Sequence, residues 1–265
     1  MNDPSSPWPR DVIPHRRLCL ATDMERYSRL DTWAQSAVQA DLVRLLDEAA
    51  APAGLDRAAW ARQPQGDQEF AVLPEATPEA AVLGPFVHHL AARLGARNAR
   101  PDAPRVRLRL AVDAGVAADA ALGHAGPAPV AVARYVNASQ LRAVLAALPS
   151  ADLAVIVSDR LYQDVLRSGQ PGLEPAQYVR AHVRVKEFAG YGWIRVPGHG
   201  PERTRPLVED TDGVRPAPDP LFPAGVSGAA PSQYVHRGVA VGRDVSGDIT
   251  VGLPHPPRAG SGHVR

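Results

Sequence analysis

The feature that most constrains this 265-residue chain is the order in which its apolar residues change period. Residues 17–22 form an apolar run that reads as a short buried strand. From 31 to 50, Ala34, Val38, Leu42, Leu45, Leu46 and Ala49 recur at spacings of three and four, as on one face of a helix. A weak strand at 55–63 and a better one at 69–73 flank Gly66-Asp67, which reads as a tight hairpin turn. Thr77-Pro78-Glu79 predicts a helix start, with Thr as cap and Pro at the first position. Leu83, Phe86, Val87, Leu90 and Leu94 supply its buried stripe, and Gly95 its stop. Val106, Leu108, Leu110 and Val112 then alternate with Arg107, Arg109 and Ala111, the pattern of a half-buried strand.

Strand, helix, strand, strand, helix, strand is the ferredoxin-like βαββαβ arrangement, an antiparallel sheet with both helices on one face. The expected class is α+β. Further along, Leu141, Val144, Leu145 and Leu148 predict a third helix, and 153–157 a buried strand. Ser158 is placed to cap a short helix ending at Gly169, and 179–186 with 191–196 predict a closing hairpin. The fold hosts many unrelated functions, so function has to be argued from a site.

Composition changes near Pro197. From there to Arg265, 11 Pro and 11 Gly fall within 69 residues, without a helical period. The expected organisation is a flexible N-terminus at 1–15, a folded domain at 16–197, a linker at 198–233 and a Gly-rich, β-prone tail at 234–265. In the tail, Gly238, Gly242, Gly247 and Gly252 punctuate alternating Val and Ile. Such a segment either pairs with another copy or with a protein partner's sheet edge, or stays loosely ordered.

Lys plus Arg is 29 against 28 for Asp plus Glu, a net charge of +1. This argues against broad electrostatic binding to nucleic acid or to an acidic membrane. One cysteine, Cys19, excludes an intramolecular disulfide and a multi-cysteine zinc site, and its apolar neighbours mark it as an inert core thiol. No leader-like or membrane-length apolar run is present, so a cytoplasmic setting is expected. Trp33, Trp60 and Trp193 are expected as core anchors. His88-His89 has the wrong spacing for a metal pair on a helix.

Two carboxylates stand at special places. Asp23 follows the first strand, and Asp67 lies in the turn between strands two and three. In a βαββαβ core, strands one and three are neighbours, so the two can converge. Converging Asp residues suit hard divalent cations such as Mg²⁺, and two such ions support phosphoryl transfer. Equally, Asp23 can cap a helix and Asp67 can fill an ordinary Gly-Asp turn.

Several segments, in order, resemble the class III nucleotide cyclase homology domain. Residues 23–28 (DMERYS) look like its first strand end, with a metal-binding Asp. Residues 66–72 (GDQEFAV) look like its Gly-Asp hairpin with the second metal Asp, and 107–115 (RLRLAVDAG) like its fourth strand. Residues 126–134 (GPAPVAVAR) resemble the run ending in its transition-state Arg, here Arg134. Residues 183–187 (VRVKE) resemble the late strand whose Lys contacts phosphates, here Lys186, the only lysine of the chain.

The resemblance implies a head-to-tail homodimer with sites shared between two chains. Mg²⁺ or Mn²⁺ would sit on Asp23 and Asp67, and Arg134 and Lys186 would act on the phosphates of a nucleoside triphosphate. The chain departs from the pattern where substrate is read. Val130 stands for the ribose-orienting Asn, Arg26 for a Gly, Gln68 for a small residue and Glu69 for an aromatic. Gln63 stands for the purine-selecting Lys, and Asp113 for a His. Arg26 is a cation placed to enter the phosphate pocket. Each lost transition-state contact removes a factor of ~10²–10³ in rate. The favoured expectation is a divergent, catalytically weak or inactive domain that senses nucleotide or metal, or dimerises. The alternative is an active enzyme making a 3′,5′-cyclic nucleotide and pyrophosphate.

Overall fold

The computed structural model describes residues 13–212. The first half has the expected order: β1 (His15–Met24), α1 (Thr32–Ala50), β2 (Ala61–Gln65), β3 (Gln68–Val72), a helical rod, and β4 (Leu108–Ala120). The rod consists of α2 (Glu79–Ala81), a π-helical segment (Val82–Phe86) and α3 (Val87–Asn98). Pro85 lies inside the π segment, where its missing N–H and ring force a wider turn.

The second half contains β5 (Gly123–Ala125), α4 (Pro127–Val136), α5 (Ser139–Ala147), β6 (Leu153–Ser158), α6 (Asp159–Asp164), β7 (Val179–Val185), β8 (Phe188–Arg195) and α7 (Pro201–Asp212). Seven strands lie in the order β2-β3-β1-β4-β6-β8-β7, and β5 folds back antiparallel on the end of β4. The β2-β3-β1-β4 portion, antiparallel throughout, is the ferredoxin-like sheet read from the sequence. β6 joins β4 in parallel, and β8 and β7 complete the sheet as an antiparallel hairpin.

Alternation along β1 sorts the core into two layers. Leu18, Leu20 and Met24 face α1 and α3, where Leu45, Leu46, Leu90 and Leu94 are fully buried. Cys19 and Ala21 face the opposite side, with Val132 and Val136 of α4 and Leu141 and Leu145 of α5. Both helices of the βαββαβ unit therefore share one face, which Leu161 of α6 joins, while α4, α5 and α7 cover the other. Cys19 is fully buried, and burial with the nearby Asp113 charge pushes its thiol up to about 12, so it is inert as expected.

Several boundaries differ from the sequence reading. The strand expected at 55–63 begins at Ala61, because a short 3₁₀ turn (Arg57–Ala59) carries Arg57 and Trp60 into the core. Pro78 rather than Thr77 occupies the cap of α2, without a side-chain bond. Gly95 does not stop α3, since Asn98, one turn later, clamps both backbone groups of Val106 and makes the longer helix the better-bonded one. Trp33 is 87% exposed at the start of α1, not a core anchor. Trp60 is buried, and Trp193 stacks on Tyr162 at 3.5 Å.

The linker expected from 198 is corrected over its first part. Residues 201–212 form α7, and its Val208 and Leu207 join the layer beneath α5. Pro201 at the first position with Glu202 after it is a helix-start signal that the surrounding Gly and Pro obscured. The rest of the linker, the β-prone tail and most of the N-terminal segment lie outside the described residues.

Candidate active-site cleft

Asp23 is the penultimate residue of β1 and is 3% exposed. It pairs with Gln68 of β3 on one side and Arg109 of β4 on the other. Asp67, in the β2–β3 turn, meets the end of β1 directly: its carbonyl accepts from the Met24 amide at 3.0 Å. The two carboxylates lie close enough for Asp23 to act on Asp67. Burial first, and the Asp23 charge second, raise the Asp67 pKa, while Arg109 opposes the shift. The turn that carries Asp67 thus lies against the end of the strand that carries Asp23.

The partners of Asp23 were not anticipated. Gln68 Nε2 donates to its Oδ1 at 2.7 Å. Arg109 Nε donates to its Oδ2 at 2.7 Å, and a second N–H of the same guanidinium reaches the same oxygen. Both oxygens thus accept hydrogen bonds, and a fixed cation neutralises the charge. A Mg²⁺-class ion demands near-octahedral oxygen ligation and carboxylate charge. Asp23, with both oxygens taken up in this way, does not fit such an ion beside Asp67. Among the described residues no cluster of three or more His, Cys, Asp or Glu is placed to hold a metal.

Arg26, the cation the sequence reading placed in the phosphate pocket, is exposed, in the left-handed region at φ 61°. That is the conformation a Gly adopts without strain. The cation that reaches Asp23 comes instead from the neighbouring strand. Next to it, Arg107 pairs with Glu25 and donates to the Ala151 and Leu148 carbonyls, both at 2.8 Å, past the C-terminus of α5.

Gln63 points toward the β4–β5 tip, donating to the Leu122 carbonyl at 3.3 Å. Glu69 lies on the opposite face of β3, buried and clasped by Arg57. Val130, on α4, is 48% exposed. Asp113 is buried in mid-strand, where desolvation raises its pKa against the Ser158 hydroxyl and Arg160.

Arg134 and Lys186 come together elsewhere. Lys186 sits in the two-residue β7–β8 turn at φ 55°, rather than within a strand. Its neighbour Glu187 accepts from Arg134 Nη2 at 2.8 Å. The strand register fixes how far this turn lies from Asp23. Arg109, opposite Asp23, pairs with Ala154 at the start of β6. Ser158, at the end of β6, pairs with Gly192, and β8 runs on from there to Phe188. Eight residues along the sheet and three strand spacings across it amount to roughly 25–30 Å. Within one chain, the carboxylates and the Arg134–Lys186 corner occupy opposite ends of the sheet. A recess of about 330 Å³ lined by Asp47, Arg57 and Arg62 contains none of these residues.

No protein-family model matches the sequence, and no curated protein matches it. Solved structures do. An adenylate/guanylate cyclase/hydrolase from Silicibacter pomeroyi is 21% identical, with a TM-score of 0.50 over 71% of this chain and 99% of its own. A bacterial light-regulated adenylyl cyclase is 12% identical, with a TM-score of 0.50 over 75% of this chain and 99% of its own. The strand order, the paired helices on one face and these superpositions agree: the described chain has the fold of the class III nucleotide cyclase homology domain.

Proposed function

We propose that this protein is a divergent cyclase-type signalling module that associates head to tail with a second copy and makes little or no cyclic nucleotide. The observation that carries this is the commitment of Asp23 to Arg109 and Gln68. A carboxylate already neutralised by a guanidinium supplies little of the charge that draws a metal–triphosphate into place. Val130 adds to the loss, since an exposed valine offers a ribose no hydrogen bond. The placement of Arg134 and Lys186 at the far end of the sheet supports the two-chain arrangement. One chain cannot bring both groups of residues to a single nucleotide, whereas an antiparallel pair of chains brings the corner of each against the carboxylates of the other.

A second reading, an active cyclase, is favoured by the survival of all four residues in those places. The deciding experiment incubates the full chain with ATP, GTP, CTP and UTP, each with Mg²⁺ or Mn²⁺. Cyclic nucleotide and pyrophosphate are quantified, and light scattering reports the mass in solution. The expected result is a dimer without product. Product that disappears in Asp23→Ala and Asp67→Ala would establish the active reading instead.

A further inference from the structure

We infer that Arg109 is the resident counter-cation of Asp23 and that it keeps divalent metal ions off the Asp23–Asp67 pair. The inference concerns the same cleft as the proposed function, but it is a statement about cation occupancy and not about turnover.

The geometry is that of a built ion pair. The Asp23 side chain is 4% exposed and that of Arg109 12%. The two residues face each other across the β1–β4 ladder, so the pairing is set by backbone register and not by a wandering surface side chain. Two N–H groups of one guanidinium reach a single oxygen, and Gln68 holds the other. The nearby cations are committed or displaced: Arg107 belongs to Glu25 and to carbonyls past α5, and Arg26 is exposed. A dication arriving at Asp23 meets a fixed positive charge in contact with the oxygen it needs. Even with the full screening of bulk water, repulsion between a dication and a unit charge about 4 Å away lowers affinity by about one to two orders of magnitude. Removing that charge while keeping the aliphatic stem, as in Arg109→Met, leaves two neighbouring carboxylates without a counter-ion, and these are a dication site.

The test is Mn²⁺ binding to the full chain without nucleotide, read by the loss of the free-ion electron paramagnetic resonance signal. Wild type is expected to show no saturable binding that depends on Asp23. Arg109→Met is expected to bind at least about tenfold more tightly than wild type, and adding Asp67→Asn to it should abolish the gain. If Arg109→Met fails to fold, by circular dichroism, wild type is compared with Asp23→Asn/Arg109→Met, which removes both members of the pair and leaves no unpaired buried charge. Saturable Mn²⁺ binding by wild type that is lost in the double variant overturns the inference, as does unchanged affinity in a folded Arg109→Met. A wild type that binds Mn²⁺ at Asp23 yet makes no cyclic nucleotide would sink this inference and leave the proposed function standing. Product formation would sink the proposed function.

Discussion

Arg57 offers the clearest energetic test of this structure. Its guanidinium meets Glu69 through two N–H groups, at 2.5 and 3.0 Å, and Asp47 through its Nε at 2.5 Å. The Arg57 and Glu69 side chains are each 4% exposed, whereas Asp47 is 52% exposed. The energetics therefore rest on the Arg57–Glu69 fork, and the Asp47 contact is worth under about 1 kcal/mol. Arg57→Met keeps most of the packing but leaves the Glu69 carboxylate buried without a partner. Breaking one side of a buried pair costs about 3–5 kcal/mol. At ~2–4 °C per kcal/mol for a domain of this size, the midpoint of thermal unfolding falls by about 6–20 °C. Arg57→Met/Glu69→Leu removes both charges, and such replacements are often neutral or stabilising. It should recover to within about 1 kcal/mol of wild type. Urea unfolding of all four members of the cycle, followed by circular dichroism, measures the coupling. A single variant within about 1 kcal/mol of wild type, or a double variant no better than the single, would refute the argument that this charge is buried and mutually dependent.

Two further consequences follow from buried groups on the opposite face of the sheet. Burial raises the Asp113 pKa, so the folded chain holds a proton on it that the unfolded chain has released. Its contribution therefore falls as pH rises from the ordinary Asp value to the raised one. Asp113→Asn should flatten that decline in urea midpoints measured from pH 4 to pH 8, and an unchanged slope would contradict it; Asp67, raised in the same direction, keeps a residual slope. Gly115 lies where a Cβ would fall 2.5 Å from Arg160 Nη1 and 3.3 Å from the Ala128 Cβ. Gly115→Ala should cost about 1–3 kcal/mol by driving Arg160 from the Ala114 carbonyl, to which it donates at 2.7 Å. Adding Arg160→Ala should return part of that loss in the same unfolding assay.

The ferredoxin-like half of this fold was legible because its large apolar residues keep the period of the element that carries them, even though β1 and β4 are buried on both faces. Leu108, Leu110 and Val112 reveal a strand by alternation, and Val38, Leu42 and Leu45 reveal a helix by spacing, whatever surrounds them. Residues 127–136 were less legible as α4, since Pro127 and Pro129 stand in its first turn, and only Pro127 at the first position was a usable signal. The site divides in the same way. The approach of Asp67 to Asp23 follows from topology, because strands one and three of βαββαβ are neighbours. The capture of Asp23 by Arg109 depends on register across β1 and β4, elements separated by some eighty residues. Alternation placed Arg109 among the polar residues of its strand but did not say which residue it opposes. A shift of one position would have sent it to the other face of the sheet. The Arg57–Glu69 fork was hidden for a similar reason, since an Arg in a turn reads as solvated until the fold closes over it.

Register also shows how one scaffold can carry two different electrostatic outcomes. Around the end of β1, two carboxylates are each met by an arginine near the start of β4: Asp23 by Arg109 of that strand, and Glu25, just past β1, by Arg107, just before β4. Both arginines precede the buried middle of that strand, where hydrophobic packing with β1 and β6 sets the alignment. The pairs therefore inherit their geometry from the core and in turn disfavour any slip of β1 against β4, which would separate both at once. A carboxylate held this way acts as a clasp between strands. The same carboxylate facing a neutral residue on β4 would leave its charge to be matched by a ligand, and the neighbouring Asp67 would make that ligand a dication. The placement of the two acids is thus a property of the fold, while their availability is decided by the side chain at position 109.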